Sequence, residues 1–152
     1  MNKDARPILQ IITLLAVNLI LASWFGATSF LFLTPVCMGA AAAILLDKVS
    51  FSGMLKKPLT LVLLLTVNDL GIRQFSAGTY DQLGQFFVQA SLVGAVALVL
   101  LIWGIKIFTR SPFSKEEFLY VILFLVLMIL EIFAFHNLGP DWRFHEMNSG
   151  WF

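Results

Sequence analysis

The chain has 152 residues, of which 59% are hydrophobic and 12% charged, with a net charge of +1 and a mean hydropathy of +0.89. An average soluble domain carries roughly 25% charged residues, so this composition excludes an ordinary water-soluble domain and makes lipid the solvent. The length allows one membrane domain, and the single cysteine, Cys37, excludes an intrachain disulfide.

A spanning helix needs about 20 mostly apolar residues, and five stretches fit. The first covers about 7–24, with Pro7 tolerated in the first turn. Its apolar run, 8–25, is longer than the core of a signal peptide and reads as a retained helix that also directs insertion. The second covers about 28–46 after a turn containing Gly26. A kink is expected at Thr34-Pro35, because proline removes a backbone hydrogen bond. The small residues at 38–43 suit close helix contact. The third covers about 58–77, the fourth about 86–108 and the fifth about 116–136. Ser114-Lys-Glu-Glu117 has the pattern of a capping box at the start of the fifth, and Gly139-Pro140 ends it. A polar and aromatic tail occupies 137–152. No strand alternation or repeat is visible. The expected fold is an all-α integral membrane protein, a single domain of about five transmembrane helices.

Five spans place Lys3, Arg6, Lys48, Lys56, Lys57, Lys106, Arg110 and Lys115 on one side, and Arg73 and Arg143 on the other. Cytoplasmic loops carry the excess of Lys and Arg. The N-terminus is therefore expected in the cytoplasm and the C-terminus outside a bacterial-type inner membrane. Trp24 is expected at the outer interface, with Trp103 and Tyr120 near the inner one, as anchoring aromatics.

The third stretch is the unusual one. Its apolar part, 59–67, is only about 14 Å of helix at 1.5 Å per residue. It then places Asn68, Asp69 and Arg73 where hydrocarbon should be. Asp69 and Arg73 are four apart, share a helix face and can pair. Glu131 on the fifth helix is expected at a similar depth to Arg73. Asn18 lies near the middle of the first helix. Gln89 lies near the outer end of the fourth, beside Ala90, Ser91, Gly94 and Ala95. A charge at the bilayer centre costs about 2.5–3.5 kcal/mol on insertion scales, so these groups should face the bundle interior, a wet cavity or a partner. Three readings follow: a ligand or ion site, internal structural pairing, or contact with another subunit. Two acids against one arginine leave an excess acid that needs a cation, a proton or another partner.

On the outer side, His136, Asp141, His145 and Glu146 are metal-ligand residue types, but their spacing matches no zinc template and there is no HExxH or paired CxxC. The plainer reading is a capped helix end and an interfacial tail with Trp142, Phe144, Trp151 and Phe152. A histidine there with Glu131 or Asp141 could make an acid–base pair, but no nucleophile motif accompanies it. No P-loop or GxGxxG is present, and no cofactor is identified. The basic loops suit anionic headgroups, and nucleic acid has no support as a partner. The expected partners are the lipid bilayer and other membrane subunits or a second copy of the chain. The sequence thus favours an accessory or assembly subunit of a larger membrane complex. A small transporter or substrate-binding component is the alternative, and an intramembrane enzyme the second alternative.

Overall fold

A computed structural model describes residues 5–25, 27–49, 51, 55–75, 82–109 and 115–136. These form five helices: α1 (Ala5–Phe25), α2 (Ala27–Lys48), α3 (Lys56–Phe75), α4 (Gln82–Thr109) and α5 (Lys115–His136). There is no strand among the described residues. Four helices contain stretches long and apolar enough to cross a membrane: Ala5–Phe25, Leu31–Lys48, Leu83–Thr109 and Lys115–Phe135. That composition is the ground for reading a membrane protein. The tail from 137, including Asp141, His145 and Glu146, lies outside the described residues, as do Ser114, Gly139 and Pro140.

α3 is not among those four, because Asn68, Asp69, Arg73 and Gln74 lower the hydropathy of its apolar stretch. Its length is still about 30 Å at 1.5 Å per residue, close to the hydrocarbon thickness. It also has two faces. Leu61, Leu64, Leu65, Asn68, Asp69 and Ile72 are buried, whereas Leu59, Leu63 and Val67 form an exposed stripe at spacing four. The helix runs unbroken through 68–71. Gly71 serves packing there: a Cβ on it would lie 2.7 Å from Leu19 Cδ2, so its bareness lets α1 approach α3.

The densest packing joins α2 to α4 and α1. α2 continues as one helix through Pro35. Beyond it Met38, Ala41 and Ala42 are fully buried, and a Cβ on Gly39 would meet Leu98 Cδ2 at 2.5 Å and Cγ at 2.9 Å. Small residues therefore set how close these backbones come, as they do where lipid removes the usual hydrophobic drive between helices. α5 packs mainly on α3 and touches α4 less. This leaves room between α4 and α5.

Trp103 departs from its expected role. It is 1% exposed and so belongs to the core, not to an interfacial belt. Leu92, Ala95, Val99 and Trp103 follow helical spacing along one buried face of α4. The indole packs edge-on to Phe124, with centroids 5.9 Å apart, and its Nε1–H donates to Glu117 Oε2 at 3.0 Å. A buried indole needs such an acceptor. Glu117 also pairs with Lys57, whose ammonium lies 5.9 Å from the Tyr120 ring centroid. Lys106 bridges to Asp47 and donates to the Ala43 carbonyl at 3.1 Å. One end of the bundle is thus tied by ion pairs that link α3 to α5 and α2 to α4.

Candidate functional site

The other end holds the candidate polar residues in two separate groups. Adjacent positions on a helix diverge by about 100° at 3.6 residues per turn. Asn68 and Asp69 therefore serve different neighbours.

Asn68 joins a sealed network with α1 and α2. The Asn18 amide donates to Asn68 Oδ1 at 2.8 Å and to Thr34 Oγ1 at 3.1 Å. Asn18, Thr34 and Asn68 are at most 2% exposed. Their partners are one another, so the network fixes the register of three helices and leaves Asn18 and Asn68 away from any opening. Thr34 was not among the expected site residues. Its signal was a hydroxyl directly before Pro35 on an otherwise apolar helix. Ser91, also buried, donates to the Val88 carbonyl at 2.8 Å within its own helix.

Asp69 faces the other way. Arg73 Nε donates to its Oδ2 at 2.7 Å, the expected pair of residues four apart. This pair, Gln89 and Glu131 line a cavity of about 290 Å3 between α3, α4 and α5. The walls are Leu92 and Val93 of α4 and Ile132, Phe133 and Phe135 of α5. These walls were also missed by sequence, although Glu131 and Phe135 share a face of α5 by their spacing of four. Val93 is 57% and Phe133 72% exposed, so the cavity opens on the outer, apolar surface of the bundle.

Measured from the helix ends, Asp69 lies six residues from Phe75 and Glu131 five from His136. At 1.5 Å per residue these are about 9 Å and 7.5 Å in from the same end. Arg73, the residue whose depth Glu131 was expected to share, lies only two residues from Phe75, and both side chains line the cavity.

The polar inventory of the cavity does not close. Asp69 is 2% and Glu131 7% exposed. Asp69 Oδ1, Glu131 Oε1 and Glu131 Oε2 have no hydrogen-bond partner among the described residues. Buried polar atoms normally have one, and an orphaned acceptor carries its full desolvation cost. Arg73 is engaged with Asp69, which leaves Glu131 as the excess acid. Its setting is a cleft with an acidic floor and apolar, partly aromatic walls.

His136 is the last residue of α5, and its side chain lies outside the description, as do Asp141, His145 and Glu146. Among the described residues no group of three or more His, Cys, Asp or Glu side chains is placed to hold a metal. Cys37 is buried as a free thiol. The chain matches no known protein family, no curated protein and no solved structure.

Proposed function

We propose that the protein is a small membrane-embedded binding or transport component whose ligand sits in the cleft between α3, α4 and α5. The observation that carries this reading is Glu131: a carboxylate 7% exposed, in the wall of a cavity, with neither oxygen partnered among the described residues. Intramembrane ionisable groups mark substrate or ion pathways by default, and a pocket with few polar groups on apolar walls is the usual form of a ligand site. Charges facing outward would have favoured an accessory subunit held by partner helices. The burial of Asp69 and Glu131 supports the binding reading instead.

The same reading includes five spans in an inner membrane, with the N-terminus in the cytoplasm. The exposed stripe Leu59, Leu63 and Val67 supports α3 as a crossing helix, since it offers that helix a lipid face. Eight of the ten Lys and Arg residues then lie on the cytoplasmic side. Reporter fusions after residue 80 and at the C-terminus are expected to report from outside; a cytoplasmic signal at either position overturns this topology.

Native mass spectrometry of the protein extracted gently from its own membrane tests the function. The expected spectrum shows the chain, alone or as copies of itself, carrying a small molecule that Glu131→Gln loses. Stoichiometric foreign chains without a small molecule would overturn the reading in favour of an accessory subunit.

A further inference from the structure

Resting on the binding reading, we propose that the ligand is a primary ammonium group on an apolar tail, entering sideways from the bilayer between α4 and α5. Three features of the cleft select this chemistry. The first is charge. Asp69 and Glu131 face one guanidinium, and Arg73 is bonded to Asp69. With both acids ionised, the charge among these side chains is one negative, which a monocation neutralises.

The second is hydrogen bonding. Among the described residues the orphaned buried side-chain atoms are three, Asp69 Oδ1 and the two carboxyl oxygens of Glu131, and as carboxylate oxygens all are acceptors. A primary ammonium carries three donors and no acceptor. It supplies what the cleft lacks and adds nothing that would go unpaired. A carboxylate would bring only acceptors and a second negative charge. A quaternary ammonium would bring the charge without donors.

The third is access. Val93 and Phe133 stand exposed at the mouth, on the surface that meets lipid tails. Passing between these apolar side chains would strip a hydrated metal ion of its water, whereas an amphiphile keeps its tail in the bilayer. A cavity of about 290 Å3 holds a head and its first few carbons, with the rest of the tail passing Val93 and Phe133 into the bilayer. The ammonium can be carried by a phosphoethanolamine lipid or by a free hydrophobic amine, since the recognised group is the same.

The test uses the full chain in a nonionic maltoside detergent, titrated with decylammonium, decyltrimethylammonium and decanoate. Decylammonium is expected to bind one to one. The trimethyl analogue keeps the charge but offers no N–H donor, so it should bind about tenfold or more weakly. Decanoate should not compete. Glu131→Gln should lose decylammonium binding while remaining folded. Val93→Trp, a change at an exposed position that fills the mouth, should also lose it.

Lysophosphatidylethanolamine separates the sources: competition with decylammonium assigns the ligand to a lipid headgroup, and no competition assigns it to a free amine. Equal binding of the primary and trimethyl amines, or unchanged binding in Glu131→Gln, overturns the ammonium assignment. Decanoate bound in place of the amines overturns it too, but leaves the cleft a ligand site. If none of these amphiphiles binds, the binding reading falls with it.

Discussion

Arg73→Leu is expected to be among the most damaging single substitutions in the chain, with a loss of about 3–5 kcal/mol, the usual cost of removing one partner from a buried ion pair. Arg73 holds the carboxylate of Asp69 at 2.7 Å, and Asp69 is 2% exposed. Without the guanidinium, two acids remain in one cavity with no cation beside them among the described residues. The double variant Asp69→Leu with Arg73→Leu should recover most of the loss, because replacing a whole buried pair by apolar groups is often neutral or stabilising. Reversible unfolding in mixed micelles, read as a double-mutant cycle, measures both. Single and double variants of equal stability would show that Asp69 and Arg73 do not depend on each other in the folded state.

Glu131→Leu is expected to act in the opposite direction. Its carboxylate has no partner among the described residues, so folding strips it of water without compensation. Removing it should stabilise the ligand-free protein by about 1–3 kcal/mol, the cost of an unsatisfied buried polar group. A stabilising substitution that abolishes ligand binding is the signature of a site kept for function. The sign separates this role from a structural one, since a member of a satisfied network would lose stability on truncation. Saturating ligand should narrow the gap, because binding to the folded state adds about 2.7 kcal/mol at 100 times the dissociation constant. The same unfolding experiment with and without decylammonium reads both effects. A destabilised Glu131→Leu would place Glu131 among the structural residues.

These opposite signs rest on features of different legibility. The Asp69–Arg73 pair could be read from a spacing of four on one helix. Counting residues along α5 suggested that Glu131 lies near Arg73, and both line one cavity. The helices themselves followed from long apolar runs, which lipid permits only as helices or closed barrels. What sequence could not supply was direction. Trp103 stands near the end of an apolar run, where tryptophan usually anchors at the interface, yet it turns inward to Phe124 and Glu117. Asn18 and Asn68 were grouped with Asp69 by depth, but they face the other side of α3 and satisfy each other with Thr34. Helix packing decides such facing, and an apolar exterior weakens the amphipathic contrast that reveals it in water-soluble helices. The cleft was equally hidden. It exists because α5 lies mainly on α3 and leaves a gap beside α4, a tertiary fact with no local signal.

On this proposal Glu131 is an acid unpartnered among the described residues and reached from the lipid side of the bundle. Dicyclohexylcarbodiimide, a lipid-soluble reagent for carboxyl groups, tests it directly when applied to membranes holding the protein and followed by peptide mass mapping. The expected result is an adduct on Glu131, none on the arginine-bound Asp69, and protection of Glu131 by decylammonium. An unmodified Glu131, or equal modification of Glu131 and Asp69, would contradict the claim.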